Sequence, residues 1–224
     1  GFHNTATLGP VAAAAALGHL LRLEPETLAN ALGIAATQAA GLRLQFASEV
    51  KPLHAGLAAR AGVMAVQLAR AGLVGNASFL DGKLGFTAVL GLGGASPERC
   101  VAGWGEPWEI LVPGLAFKAY PCCGASHLPA DALLDLIAEQ GLRADEVEEV
   151  VVTFPPGGEA ALVVTAPRGG LDGRFSVEYM AAVALLDGRL ALAPFADIPL
   201  RDDVAALLPR IRRAVDHTVP SIGE

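Results

Sequence analysis

The ten-residue stretch KAYPCCGASH, at 118–127, gathers several side chains that could do chemistry. It carries Lys118, Cys122, Cys123 and His127, and the third cysteine of the chain is the distant Cys100. A zinc or iron–sulfur site typically uses cysteines two residues apart, in pairs that bend around one metal. Adjacent cysteines seldom form a disulfide, because the bond needs a narrow Cβ geometry. The spacing therefore predicts neither a bound metal nor a disulfide in this stretch.

A second stretch, EVKPLHAG at 49–56, places a lysine and a histidine at the start of a predicted helix. Lys51 precedes Pro52, a residue favoured in the first helical turn, and His54 follows Lys51 by three residues, so both can face one side of that turn. The N–H groups of a helix N-terminus attract anions, and two neighbouring cations would strengthen that attraction. We interpret Lys51 and His54 as a candidate anion-binding pair; a solvated lysine and a histidine bonded to backbone are the alternative.

The basic residues of the chain are unevenly chosen. There are 13 arginines but only three lysines, although lysine is the cation whose pKa shifts more readily. Two of these lysines and three of the five histidines fall in 49–56, in 118–127 and in GFHNTAT at 1–7, which supplies His3. Such a group suits a small polycarboxylate: cations hold the carboxylates, and a histidine or lysine moves a proton at the carbon α to one of them. Surface charge, a structural histidine and buried free cysteines are the competing interpretations.

The composition restricts the partners and the compartment. Hydrophobic residues make up 53% of the chain and charged residues 17%, which is typical of a well-buried globular protein. The net charge of −7 opposes nucleic-acid binding, and no apolar run reaches the roughly 18 residues of a membrane span. Three cysteines, an odd number, favour a reducing compartment. We predict a cytoplasmic protein that binds neither nucleic acid nor a membrane.

Helices would position the residues of the first half of the chain. Apolar residues at helical spacing, with proline near each start, predict helices over 10–21, 25–42 and 52–72. Three successive helices joined by short turns indicate a helical bundle.

The second half of the chain predicts a mixed domain. The Gly- and Pro-rich stretch 91–107 marks the change, and we place a linker at 96–112 between a helical domain at 1–95 and an α+β domain at 113–224. WEILV and EEVVVTF have the composition of strands, and helical patterns follow each of them. The predicted elements are strands at 108–112 and 148–154 and helices at 128–140 and from Ser176 to Gly188.

Six segments follow one another along the chain: GFHNTATLGP, ALGIAATQAAGL, KPLHAGLAARAGV, GLVGNASFLDGKLGF, FKAYPCCGASH and RFSVEYMAAVALLDG. Together and in this order they resemble the MmgE/PrpD family, whose members include 2-methylcitrate dehydratase, cis-aconitate decarboxylase and iminodisuccinate epimerase. The resemblance implies a large all-α domain carrying a smaller α+β lid, with the active site in the cleft between them. It also implies a homodimeric enzyme that acts on small carboxylates without a metal or other cofactor. Because family members are longer, the chain is expected to be the middle of this fold, incomplete at both ends.

The resemblance also implies site residues. By position, His3, Lys51 and Lys118 match site residues of the family, and Tyr179 matches a tyrosine of the lid. The position five residues after Lys118 holds a histidine in the decarboxylase branch and Cys123 here, a departure that disfavours decarboxylation of cis-aconitate. The predicted substrate-binding residues are His54, Cys123 and His127.

We therefore predict a cofactor-free lyase, a dehydratase of a small di- or tricarboxylate such as a 2-methylcitrate-like substrate. Lys118 or His3 would transfer the proton α to a carboxylate, while Lys51 and His54 bind the anion and stabilise the developing charge. The alternatives are an epimerase, isomerase or decarboxylase of a related carboxylate, or a non-catalytic helical dimerisation relative.

Overall fold

The structure, a computed structural model, describes residues 1–91 and 96–221. The chain is mostly helical and divides into two compact units, Gly1–Ala116 and Phe117–Glu224. Residues 92–95, part of the predicted boundary stretch 91–107, lie outside the described residues. The predicted domain limits at 95 and 113 stay predictions. No helix in the described part of the chain is both long and apolar enough to cross a membrane.

Three helices form the core of the first unit. They are α1 (Asn4–Leu20), α2 (Pro25–Ala36) and α3 (Val50–Arg70). Small side chains let α1 and α3 approach closely: a Cβ added to Gly62 would lie 2.5 Å from the Cβ of Ala13. The buried residues between the helices are Ala14, Ala31, Ile34, Ala35, Ala65, Val66 and Ala69. The predicted helical bundle is therefore confirmed as three packed helices. The unit also contains the 3₁₀ turn Arg43–Gln45 and the short helices α4 (Phe86–Leu90) and α5 (Pro97–Val101).

The first helix starts earlier than its proline suggested. α1 begins at Asn4, because the carbonyl of His3 accepts bonds from the N–H groups of Ala6 and Thr7, at 2.8 and 3.2 Å. Pro10 lies inside the helix and cannot donate to the carbonyl of Ala6. That carbonyl accepts a bond of 3.3 Å from the N–H of Ala40 instead. Tertiary contact thus replaces the bond that the proline removes.

The other two helices also differ from their predicted limits. α2 ends at Ala36 rather than at 42, and Gly41, with φ of +96°, lies in the turn that follows. Only glycine adopts that left-handed conformation without strain. α3 begins at Val50, so Lys51 lies inside its first turn rather than just before it.

A fully buried helix is the centre of the second unit. α8 (Val177–Asp187) buries every residue from Val177 to Leu185, as a helix that is apolar on nearly all sides must. The hydroxyl of Ser176 accepts a bond from the N–H of Tyr179 at 3.2 Å, and Gly188, with φ of 62°, ends the helix. The predicted cap and end of this helix are confirmed.

The remaining elements of the second unit surround α8. A parallel two-stranded sheet pairs β1 (Val150–Phe154) with β2 (Ile211–Val215), in a register that runs from Val150–Ile211 to Phe154–Val215. The predicted helix at 128–140 and the strand over 148–154 are confirmed. The elements are α6 (His127–Gln140), β1 (Val150–Phe154), α7 (Gly170–Gly173), α9 (Asp202–Leu207) and β2 (Ile211–Val215), with 3₁₀ turns at Gly124–Ser126, Ala193–Phe195 and Leu208–Arg210.

The predicted strand WEILV, at 108–112, is wrong. These residues form consecutive turns, in which the carbonyl of Trp108 accepts bonds from the N–H groups of Leu111 and Val112 at 2.8 and 3.0 Å. The same run is exposed to solvent, and its backbone groups bond locally rather than to a neighbouring strand. Strand propensity depends on such a neighbour, so the apolar composition alone misled the prediction.

A buried ion pair joins α8 to β2. Glu178, 6% exposed, accepts two bonds from Arg213: Nε to Oε1 at 2.7 Å and Nη2 to Oε2 at 2.6 Å. Arg213 also donates to the carbonyl oxygens of Leu162 and Val164, at 2.6 and 3.2 Å, and Ser176 donates to Glu178 at 2.8 Å. One guanidinium thus holds a helix, a strand and a loop together.

Candidate active site

Two histidines of the first unit are in direct contact. Nδ1 of His3 lies 2.9 Å from Nδ1 of His54, and the ring centroids are 5.2 Å apart. The N-cap position of α1 holds His3, whose backbone N–H donates to the carbonyl of Gly41 at 2.9 Å. The start of the second turn of α3 presents His54. The structure therefore brings together two predicted site residues that are 51 positions apart in the sequence.

Two cations lie near the aromatic ring that His3 contacts. Lys51 Nζ lies 5.0 Å from the ring centroid of Phe46, and Arg43 Cζ lies 5.8 Å from it, both within the range of a cation–π contact. His3 meets the same ring edge-on at 5.0 Å. Burial lowers the pKa of His3, and the charges of Lys51, His54 and Arg43 lower that pKa further. A neutral His3 is suited to accept a proton.

His54 borders a small cavity. Its side chain is buried, at 3% exposure, and it lines a cavity of about 230 Å³ together with Gln38 and Arg60. Gly41 leaves room beside the imidazole, since a Cβ at that position would lie 3.3 Å from Nε2 of His54 and 2.3 Å from the Cβ of Ala6. One ring nitrogen of His54 thus contacts His3 while the ring edge borders open space.

The second unit carries the predicted Lys118 loop. Nζ of Lys118 donates to the carbonyl oxygen of Cys122 at 3.2 Å, and the N–H of Cys123 donates to the carbonyl of Arg174 at 2.7 Å. Lys118 is exposed, Cys123 is half-buried and Cys122 is buried. Burial, followed by the charge of Cys123, raises the pKa of Cys122 to about 11. Cys122 is therefore a thiol at neutral pH, and a thiol is a poor nucleophile.

Two buried polar atoms follow the cysteines. Among the described residues, Oγ of Ser126 and Nε2 of His127 are buried without a hydrogen-bond partner. The His127 ring meets Tyr120 edge-on, with centroids 5.3 Å apart. Tyr120 donates its hydroxyl to Asp131 at 2.5 Å, and this bond is the main cause that raises the tyrosine pKa to about 12. Ser126 and the Tyr120–Asp131 pair could not be found from the sequence, because no motif spacing links them.

Tyr179 lies in the core of the second unit rather than on its surface. Its exposure is 0%, its hydroxyl donates to the carbonyl of Pro194 at 2.5 Å, and its ring packs edge-on against Phe195 at 5.5 Å. Burial raises the pKa of its phenol. Its geometry within the unit is that of a packing residue with a satisfied hydroxyl, and its catalytic role stays a prediction.

The described residues show no metal-ligand cluster. Across 1–91 and 96–221, no group of three His, Cys, Asp or Glu side chains is placed to hold a metal ion. Cys100, Cys122 and Cys123 are free thiols. Independence from metals stays a prediction, to be tested by chelation.

Comparison with known proteins gives the same family for both units. Residues 1–98 match the profile of the MmgE/PrpD N-terminal domain, and residues 120–221 match that of the MmgE/PrpD C-terminal domain. Over 216 residues the chain is 31% identical to cis-aconitate decarboxylase of Homo sapiens. This match covers 94% of the chain and 44% of the relative. Over 212 residues it is 34% identical to cis-aconitate decarboxylase of Aspergillus terreus, and this match covers 88% of the chain and 43% of the relative. The chain thus spans less than half the length of these curated relatives.

Proposed function

Because the chain belongs to the MmgE/PrpD family, we propose that it is a cofactor-free lyase that moves a proton α to a carboxylate of a small di- or tricarboxylate. The observation that carries this proposal is the contact of His3 with His54, at 2.9 Å, within reach of the charge of Lys51. A neutral imidazole beside fixed cations can accept a proton while the cations hold an anionic substrate.

His3 is the proposed base. Its lowered pKa keeps the ring neutral near physiological pH, and with Nδ1 engaged by His54 the available nitrogen is Nε2. Nε2 would take the proton from carbon, and the negative charge that develops on the carboxylate side would be stabilised by Lys51. A positioned base of this kind contributes about 10²–10⁴ in rate.

We propose that Lys118 also acts in the reaction, as the acid that protonates the departing group. An ammonium carries a transferable proton, whereas the Cys122 thiol, with a pKa of about 11, is a weaker choice for covalent attack. Cys123 and His127 belong to the same short loop and are proposed to contact the substrate. In a dehydration the carbon proton goes to His3, the hydroxyl leaves with a proton from Lys118, and the products are an alkene and water.

Two reactions compete for the finer assignment. Dehydration of a 2-methylcitrate-like substrate is the first candidate. Cys123 disfavours decarboxylation, because the decarboxylase branch of the resembled family holds a histidine at this position. Decarboxylation of cis-aconitate is the second candidate, and the names of the relatives favour it. Both reactions need cations for carboxylates and a proton moved at the adjacent carbon.

The test is product analysis by ¹H NMR in D₂O. The purified chain is incubated with 2-methylcitrate, cis-aconitate and other small di- and tricarboxylates. Dehydration gives a new alkene with all carbons retained, decarboxylation gives a product one carbon shorter, and epimerisation gives deuterium on carbon without a new double bond. Failure to convert any of these carboxylates would refute the proposed function.

A matched pair of variants distinguishes a lysine of the proposed site from a lysine at the surface. Lys51→Met should lower kcat/KM by about 10²-fold, because it removes the cation beside His3. Lys83→Met removes the exposed third lysine, which lies outside both clusters, and should leave kcat/KM unchanged. Equal effects of the two substitutions would contradict the role of Lys51.

The family resemblance also supports a homodimer, and the odd number of cysteines supports a cytoplasmic location. Light scattering on the purified chain should then give a mass of twice 22.9 kDa. A monomer mass at micromolar concentration would count against the dimer.

A further inference from the structure

We propose that His3 and His54 share one proton and form a two-histidine relay, in which His54 positions His3 and exchanges protons with water in the adjacent cavity. The relay rests on the proposed function for the identity of the reaction that it serves. The hydrogen-bonded pair itself is a property of the chain that can be measured without any substrate.

The contact between the two rings couples their tautomers, so that the tautomer of one ring determines that of the other. A bond of 2.9 Å between Nδ1 and Nδ1 requires a hydrogen on one nitrogen and a lone pair on the other. When His54 donates, Nδ1 of His3 is the acceptor, so the neutral ring carries its hydrogen on Nε2 and is an acid there. When His3 donates, its Nε2 is bare and is a base. The position of one shared proton therefore decides which role His3 takes.

The charges around the pair oppose an extra proton on His3. Lys51, from the first turn of α3, and Arg43, from the adjacent 3₁₀ turn, both act on His3, and Arg60 lines the cavity with His54. The first turns of α1 and α3 contain no acidic residue, and Glu49, at the N-cap of α3, is exposed. A second protonation would also place two N–H groups face to face.

The cavity supplies the other end of the relay. His54 is 3% exposed but borders a space of about 230 Å³, which has room for several waters. Nε2 of His3 takes a proton from carbon, the hydrogen on Nδ1 of His3 passes to Nδ1 of His54, and the hydrogen on Nε2 of His54 passes to a water. One proton has then moved from carbon to water. The pair ends in the opposite tautomer, with Nε2 of His3 ready to donate.

The experiment is a pH titration of the full chain labelled with ¹⁵N-histidine, followed by long-range ¹H–¹⁵N NMR. Near pH 7 the wild-type chain should show one of the two rings as the Nδ1–H tautomer and the other as the Nε2–H tautomer. Because the tautomers are read from the unmodified protein, the result does not depend on whether a variant folds.

His54→Asn provides the second arm. The asparagine amide keeps a polar group near the position of Nδ1 but cannot pass a proton on. The pKa of His3 should rise in this variant, because His54 lowers it in the wild type. With a substrate that the wild type converts, kcat should fall by about 10²-fold with KM within about twofold, and the pH profile of kcat should change. His19→Asn, which replaces an exposed histidine of the same unit, should change none of these readouts.

Two results would overturn the relay. One is that both rings are Nε2–H tautomers near pH 7, because no hydrogen would then lie between the Nδ1 atoms. The other is that His3 titrates identically in the wild type and in His54→Asn, or that kcat and its pH profile are the same in both. A wild-type chain with these paired tautomers but no conversion of any carboxylate would support the shared proton and refute the proposed function.

Discussion

Replacing Glu178 by glutamine should destabilise the second unit strongly. The substitution keeps the shape of the side chain but removes the charge that Arg213 faces, and the two side chains are only 8% and 18% exposed. Removing one partner of a buried pair typically costs about 3–5 kcal/mol. Glutamine can still accept one bond, and Arg213 keeps the carbonyls of Leu162 and Val164, so we expect the lower end, about 3 kcal/mol.

A neighbouring ion pair supplies the matched control. Arg212 lies next to Arg213 on β2 and pairs with Glu149 at 2.6 Å, but these side chains are 57% and 54% exposed. Glu149→Gln should therefore cost less than about 1 kcal/mol. Both variants are compared with the wild type by urea unfolding, followed by circular dichroism. Hydrogen exchange of α8 amides assigns the loss to the second unit, since a chain of two units need not unfold in one step.

The dependence on pH gives a second check of the same pair. Although burial alone would raise the pKa of Glu178, the bonds from Arg213, together with a backbone bond and the bond from Ser176, hold that pKa below its ordinary value of 4.5. The pair therefore stabilises the folded chain above pH 4.5 and loses this contribution as the pH falls through the folded-state pKa. Glu178→Gln should lack that part of the pH dependence. A cost below about 1 kcal/mol, equal to that of Glu149→Gln, would refute the reasoning.

Four further predictions concern the site residues and cofactors. Lys118→Arg should lower kcat by about 10²-fold, because a guanidinium does not give up its proton, whereas Cys123→Ser should change kcat only a few-fold. A larger loss of kcat for Cys123→Ser than for Lys118→Arg in steady-state kinetics would show that the two roles are exchanged. Tyr179→Phe should cost about 1–2 kcal/mol in urea unfolding, because the Pro194 carbonyl loses its donor, and an unchanged kcat would make this tyrosine structural. Because the pKa of His3 is lowered in the folded chain, the unfolded chain binds more protons than the folded chain as the pH drops below 6.5, and the free energy of unfolding should fall. His3→Asn should reduce this dependence on pH. An unchanged dependence would contradict the lowered pKa of His3. Exhaustive chelation should leave turnover intact, and activity that returns only on adding a metal would contradict metal independence.

Helices with strong periodicity could be predicted from the sequence, whereas the composition of a short segment did not predict whether it forms a strand. VVVTF, at 150–154, forms β1 because β2 pairs with it, whereas WEILV, at 108–112, forms turns because its backbone bonds locally. The Ser176 cap and the Gly188 end of α8 are local signals, and both were predicted correctly. Strand formation depends on a partner that lies far along the chain, which composition does not reveal.

The same distinction applies to the candidate site. The spacing of Lys51 and His54 places both in one helical turn, but nothing in their spacing brings His3 to them. His3 was predicted from the family resemblance, and its contact with His54 is seen only in the folded structure. Phe46, which contacts His3 and lies under the charge of Lys51, was missed because an apolar ring in a turn carries no distinctive pattern. The burial of Tyr179 was missed because the α8 sequence alone does not tell which elements cover it.

The most direct test of the account is the turnover rate of small carboxylates by three forms of the chain: wild type, His3→Asn and His19→Asn, measured by ¹H NMR under the same conditions. His3 is proposed to take the substrate proton, while His19 is exposed near the end of α1. The account predicts conversion by the wild type, an unchanged rate for His19→Asn and a rate at least about 10²-fold lower for His3→Asn. Conversion by His3→Asn at the wild-type rate would contradict it.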